Sequence, residues 1–520
     1  MFKKVLFFLL FTNIAFGADI NFLIMPDEVV GPISPYVYGL NAQDPADTGA
    51  TVRRLGGNRM TGYNWVNNAS NAGNDWKHSS DDWLCNGLFH YPDSDQPGAL
   101  IKHFVEEDQK AGIDSLITVP MAGFVAADKN GEVTEAETAP SARFRDVLFH
   151  KKKPFILTPH PKDRVVFEDE FVNWAAKTLK PASQGGIKFY ALDNEPALWP
   201  STHPRLHPKK TGYWEMINKT EALATNILKV DSSAVIFGPA AYGWQEFLTL
   251  QDSPESAEVS KSYPTFLDFY LYEMKTLETA HHKPLVSVLD LHWYPEAKGA
   301  GKRVTLNDVS PASVEARLQA PRSLWDPGYM EDSWIADTWK KPIQLIPWLK
   351  EKIDKYDREM KLAFTEYDYG AGDHISGGLA QADVLGIFGK NGIFMSNYWG
   401  DLKSYNKAAL RIYRNYDGNN GAFGDTSVSA ASEDIIQTSV YAATDSKTTG
   451  TLWILVLNKS QKNSINGKFK LQGKGIYQTY QSYGFDSTSS DVKPLKKDKI
   501  DQNQFSYSLP PLSATLFVCR

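Results

Sequence analysis

Cysteine is almost missing from this chain: Cys85 and Cys519 are the only two among 520 residues. That excludes a disulfide-framed scaffold and a thiolate zinc knuckle, both of which need clustered cysteines. In an exported protein the two could pair, but one lies early and the other one position from the end, so spatial geometry decides the question. Positive charge has no surplus either, with 55 Lys and Arg against 61 Asp and Glu. A formal net charge of −6 offers nothing to a nucleic-acid backbone, and no nucleic-acid partner is expected. The Lys151-Lys152-Lys153 run reads as a solvated loop.

Long apolar runs are also scarce. The chain opens with Met1-Phe2-Lys3-Lys4, then an almost wholly apolar stretch from Val5 to Phe16, then Ala15-Phe16-Gly17 ahead of Ala18. That stretch is shorter than the roughly 20 residues a membrane span requires. Charged leader, apolar middle and small-x-small signal together read as a signal peptide over residues 1–17, cut after Gly17. The expectation is a secreted, extracellular or periplasmic protein with no membrane attachment after removal. Internal repeats, Pro/Ser-rich linkers and low-complexity tracts are missing, as are the zinc-protease helix motif, the serine nucleophile elbow and the phosphate loop. Asp93-Ser94-Asp95 matches a fragment of a calcium loop without its glycine or distal glutamate, and reads as a polar loop. No cofactor is required by anything in the sequence, although a structural calcium assembled from separate loops stays open.

Aromatics, by contrast, are plentiful: they make up 12% of the chain, including 14 Trp and 24 Tyr. Aromatic faces pack against the axial C–H groups of sugar rings, so a sugar-binding cleft is one outlet for the surplus and core packing is the other. From Tyr38 to about Trp399, short apolar runs end in Gly, Asn, Asp, Glu or Pro and are followed by longer amphipathic stretches, the rhythm of βα units. Eight such runs are present: Val37 to Asn41, Val52 to Gly57, Ser115 to Met121, Ile187 to Asp193, Ala234 to Pro239, Val286 to His292, Lys361 to Thr365 and Ile393 to Tyr398. Tyr213 to Val230, Tyr263 to Thr279 and Pro342 to Tyr356 carry helical spacing. The expected fold is α/β, a TIM-like (β/α)8 barrel over residues 37–415. After about Tyr416 the texture shifts to Gly, Asn, Ser, Thr and Lys with short alternating runs at Thr451 to Leu457, Gly467 to Leu471 and Ala514 to Cys519. An antiparallel β-sandwich over residues 416–520 is expected, joined by the strand-like Ile20 to Val30 within residues 18–36.

Two segments stand out: Leu192-Asp193-Asn194-Glu195-Pro196 and Phe364-Thr365-Glu366-Tyr367, each a glutamate where an apolar run breaks into a loop. They close the fourth and seventh candidate strands, and a parallel barrel gathers all strand ends on one face. Two facing carboxyls are the minimum equipment for breaking a glycosidic bond, one donating a proton and the other attacking or activating water. Asp290-Leu291-His292-Trp293-Tyr294-Pro295-Glu296 closes the sixth strand, where His292 and Tyr294 are placed to steer a carboxylate or bond a sugar. Ser396-Asn397-Tyr398-Trp399 closes the eighth, where Trp399 is placed to floor a sugar ring.

The chain resembles glycoside hydrolase family 44, the endoglucanase and xyloglucanase family. The matching segments are Arg54-Leu55-Gly56-Gly57-Asn58-Arg59, Tyr63-Asn64-Trp65 through Asn71-Ala72-Gly73, Trp76 through Asp82, Leu192 to Trp199, Leu291 to Glu296, Arg322 to Trp334, and Thr365-Glu366-Tyr367 through His374-Ile375-Ser376-Gly377-Gly378. The resemblance implies a barrel joined to a β-sandwich, Glu195 as acid/base, Glu366 as nucleophile and Asn194 beside the cleaved bond. By motif context it makes Asn58, Trp65, Trp76, Trp334, Trp339 and Trp399 cleft candidates. The implied activity is a retaining endo-β-1,4-glucanase, active as a monomer on a β-glucan such as xyloglucan or cellulose. Two alternatives stand beside it: a polysaccharide-binding protein without turnover, and the same chemistry on xylan or mannan.

Overall fold

The computed structural model describes residues 18–520, so the signal-peptide reading lies outside the described residues. Two compact units are present, Pro32–Ala422 and a second made of residues 18–31 with Phe423–Arg520. These divisions fall at 31/32 and 422/423, whereas the sequence texture suggested 36/37 and 415/416.

The larger unit is a closed barrel of eight parallel strands. In chain order they are Gly39–Leu40, Val52–Leu55, Asp114–Val119, Phe189–Leu192, Val235–Ala241, Val288–Trp293, Lys361–Tyr367 and Met395–Tyr398. Each matches one of the eight apolar runs. Strands covered on both faces carry apolar side chains almost continuously, and Phe189–Leu192 and Val288–Trp293 are buried at every position. Phe189 and Phe237 meet edge-on at 5.5 Å in the interior, and Tyr36 closes against Phe189 at 5.1 Å. The helix Tyr213–Val230 has the expected limits. Phe266–His281 starts later than its periodicity suggested, because Thr265 caps it by accepting the Asp268 N–H.

One boundary matters for function. The seventh strand runs on to Tyr367, so Glu366 is a strand residue and does not sit in the following loop. The register shifts between Phe364 and Tyr367 on one side and between Leu291 and His292 on the other. Such irregularities re-aim side chains without ending the strand, and here they leave His292 and Glu366 as register partners.

The smaller unit is one nine-stranded sheet. It is not wholly antiparallel as expected: Ala18–Pro32 pairs in parallel with Ile465–Leu471. A strand contributed from the far end of the chain is free of the hairpin constraint that forces neighbours to alternate. The sheet folds over an aromatic core in which Phe469 stacks on Phe22 at 4.8 Å and on Phe505 at 4.5 Å, while Phe517 reaches the same ring at 5.0 Å. Its two ends thereby form the two layers of a sandwich. Cys519 in this unit and Cys85 in the barrel are both buried free thiols.

Candidate active site

The fourth strand ends at Leu192 and the chain turns sharply, with Asp193 at φ +63° and Glu195 at φ +45°. Non-glycine residues hold the left-handed region only where the surroundings over-determine it. Asp193 supplies that constraint from a fully buried position. Its carboxylate accepts from Thr61 Oγ1 at 2.6 Å, Asn194 N at 2.7 Å and Ala122 N at 2.9 Å, and also from Met121 N. Glu195 N–H donates to Ala240 O at 3.0 Å, tying the turn to the fifth strand.

Glu195 and Glu366 face one another across His292. Oε1 of Glu195 lies 2.9 Å from His292 Nδ1, and Oε2 of Glu366 lies 3.6 Å from the same nitrogen. One oxygen of each carboxylate falls within 4.8 Å of one oxygen of the other. Arg54 Nη1 donates to the other oxygen of Glu366, Oε1, at 2.7 Å, and Tyr294 Oη donates to Oε2 at 2.8 Å. Arg54 is itself fully buried and reaches further, donating to Asn41 Oδ1 at 3.0 Å and Asn194 Oδ1 at 2.7 Å. Gly56 leaves the room this needs, since a Cβ there would come within 2.3 Å of the guanidinium carbon.

These environments push the two carboxyls apart. Burial raises Glu195, and the Glu366 charge raises it further against the lowering hydrogen bond from His292. Glu366 is also buried, but the facing His292 and Arg54 charges and the Tyr294 hydrogen bond outweigh burial and hold it below the ordinary carboxylate value. Burial works against a charged His292, yet the carboxylates on either side raise it overall. Burial and both carboxylates raise the Tyr294 hydroxyl, so it remains a donor. Two neighbouring acids driven in opposite directions is the arrangement that assigns one to proton donation and the other to the ionised role.

A cavity of about 1300 Å³ opens beside this centre, lined among others by Asn41, Gly57, Asn58, Trp76, Trp83 and Trp399. Asn58 bridges the two, donating to Asp75 at 3.0 Å and accepting from Asn194 Nδ2 at 3.3 Å. Gly57 packs under the Trp399 ring so closely that a Cβ would approach it to 2.5 Å. Trp76 is 62% exposed, whereas Trp65 is only 2% exposed. Trp65 is therefore no cleft residue: it stacks into the core against Phe171 at 5.8 Å and Trp174 at 5.9 Å. The adjacent motifs reach the cavity through Asn58 and Trp76, while the Trp65 ring points inward.

Trp334 is exposed on the connection after the sixth strand, and Trp339 packs edge-on to Trp244 at 5.3 Å. Neither lines this cavity. Sequence reasoning missed Arg54, Asn41 and Trp83 as site residues. The first carried a signal, an arginine inside the apolar run Val52 to Gly57. Among the described residues the one His, Cys, Asp and Glu group compact enough for a metal is Glu195, His292 and Glu366. Its imidazole distinguishes it from the all-oxygen set calcium takes. In the Asp93-Ser94-Asp95 turn, the Asp95 carboxylate is engaged by Lys129 at 2.9 Å.

A closed parallel barrel with two facing carboxylates at the ends of its fourth and seventh strands defines a barrel glycoside hydrolase. The family model described as glycoside hydrolase family 44 matches residues 69–297. Endoglucanase A of Paenibacillus lautus is 46% identical over 512 residues, 97% of this chain and 73% of that protein. Beta-mannanase/endoglucanase A of Caldicellulosiruptor saccharolyticus is 44% identical over 494 residues, 92% of this chain but 37% of that longer protein. The solved family 44 xyloglucanase of Paenibacillus polymyxa superposes with a TM-score of 0.94 at 45% identity, covering 96% of this chain and 99% of that one. The chain belongs to glycoside hydrolase family 44.

Proposed function

We propose that this glycoside hydrolase is an endo-acting β-1,4-glucanase that cleaves xyloglucan or cellulose-type backbones with retention of anomeric configuration. The observation that carries the mechanism is the approach of the two carboxylates to within 4.8 Å. Retaining enzymes hold such groups about 5 to 5.5 Å apart, whereas inverting enzymes need roughly 6.5 to 9.5 Å to admit a water. Glu366, kept ionised by Arg54 and His292, attacks the anomeric carbon and forms a glycosyl ester. Glu195, raised by burial, gives its proton to the departing glycosidic oxygen, and the aglycone leaves. In the second half, Glu195 takes a proton from water as that water attacks the anomeric carbon and expels Glu366. The charged form of His292, which the flanking carboxylates favour, donates from Nδ1 to Oε1 of Glu195 and in that state leaves Oε2 to carry the acid's proton. No cofactor enters this chemistry.

Asn194 and Asn58 are assigned to sugar hydroxyls, and Trp76, Trp83 and Trp399 to ring faces. The enzyme is proposed to be exported, which the leader in residues 1–17 supports, and to act as a monomer; no helix among the described residues is long and apolar enough to cross a membrane. A mannan backbone is the second reading, favoured by the name of the Caldicellulosiruptor relative. The test is product release from xyloglucan, carboxymethyl-cellulose, xylan and glucomannan, with Glu366→Gly alongside. Internal cleavage of a β-glucan that the variant loses supports the proposal. Faster cleavage of glucomannan or xylan moves the substrate assignment, and binding without cleavage removes the enzymatic reading of this chain's site.

A further inference from the structure

Glu246 is a carboxylate that the cycle above does not use, and it is fully buried. It sits on the short helix Trp244–Thr249 that follows the fifth barrel strand. Its Oε2 accepts from Tyr242 N at 2.7 Å, and its Oε1 accepts from Ala197 N at 3.3 Å. Those two amides belong to different loops. Ala197 is two residues beyond Glu195, and Tyr242 is two residues beyond Ala240, the residue whose carbonyl receives the Glu195 N–H. Both Glu195 and Ala240 are left-handed, at φ +45° and φ +56°. The hydrogen bond between these two backbones is thus bracketed by a single side chain that grips the chain just past each of them. A helix cap would account for the Tyr242 bond, but it has no use for Ala197.

We propose that Glu246 is a positioning residue for proton donation: it staples the loops after the fourth and fifth strands and so fixes the turn that presents Glu195. This rests on the assignment of Glu195 as acid/base. Glu246 touches neither substrate nor reacting atoms; it acts through the backbone of the residue that does. Burial of its carboxyl, with the Glu195 charge nearby, raises Glu246 well above its ordinary value, which places the two carboxyls in one electrostatic environment.

The test separates proton donation from general disruption by changing the leaving group. Full-length Glu246→Leu and Glu246→Gln, with Glu195→Ala as reference, are assayed for kcat/KM on a cello-oligosaccharide, whose leaving sugar needs a proton, and on a 2,4-dinitrophenyl β-cellotrioside, whose leaving group does not. Glu246→Leu is expected to lose about 10²-fold on the first and no more than about threefold on the second, the lower end of what general acid catalysis contributes. Glu246→Gln keeps one carbonyl acceptor and is expected to recover part of the loss. It also carries the test if the leucine variant does not fold. Equal losses on both substrates, or wild-type rates on both in either folded variant, overturn the proposal. If Glu195→Ala itself shows no preference for the activated substrate, it is the acid/base assignment that fails.

Discussion

The interior of the barrel is two regions built on the same strand faces. Toward one end it is apolar, with Val52, Leu116, Phe189, Phe237, Val288, Ala363 and Met395 packed together. Two residues further along the same strands the same face turns polar: Val52 gives way to Arg54, Val288 to Asp290 and then His292, Ala363 to Thr365, and Met395 to Asn397, all buried. Because alternate strand residues share a face, a step of two moves up the barrel without turning the side chain outward. The lower region gains stability from removing apolar surface from water. The upper region forgoes some of that gain to hold charges in fixed geometry, which is what an active site requires.

Removing either carboxylate should give the largest effect. Glu366→Ala and Glu195→Ala are each expected to lose about 10³-fold or more of the activity on xyloglucan or glucan while keeping wild-type circular dichroism. A rate near wild type in either would dissolve the functional half of the comparison. Phe237→Ala, in the apolar half, should behave oppositely. The expected cost is about 3 to 5 kcal/mol in denaturant-measured stability, with kcat per folded molecule preserved. Arg54→Met tests the boundary. Arg54 lowers the Glu366 pKa, and the proposed cycle needs Glu366 ionised, so its loss should raise that pKa and move the acidic limb of the kcat/KM profile to higher pH. An unmoved limb would assign the depression to His292 and the Tyr294 hydrogen bond. The smallest effect is expected at the rim. Trp76→Ala should raise KM for polymer several-fold, in line with about 0.5 to 1.5 kcal/mol for an aromatic contact, and leave stability alone. Trp65→Ala should do the reverse, lowering thermal stability without a change in KM.

The contrast between those two tryptophans shows where the sequence stopped being legible. Both lie in segments that carry the family resemblance, yet one ring is out in solvent and the other is packed on Phe171 and Trp174. Side-chain direction in an irregular loop depends on what the fold brings alongside, and spacing does not encode it. Glu195 and Glu366 were readable because strand ends carry a periodic signal and a parallel barrel sends all of them to one face. Arg54 was visible as an oddity, a charge within an apolar strand, but its partners Asn41, Asn194 and Glu366 come from three separate strand ends. Glu246 gave no signal, since its second partner, Ala197, is 49 residues away.

The sequence by itself determined the eight strands, the two carboxylates at their ends, the β-rich second unit and the strand it takes from the N-terminal side, because each is written in local periodicity and composition. Only the tertiary structure decided which acid is raised and which is lowered, which aromatics face the cleft, and what holds the strained turn at Glu195. Those properties depend on burial and on charges from remote segments, which come together only when the barrel closes.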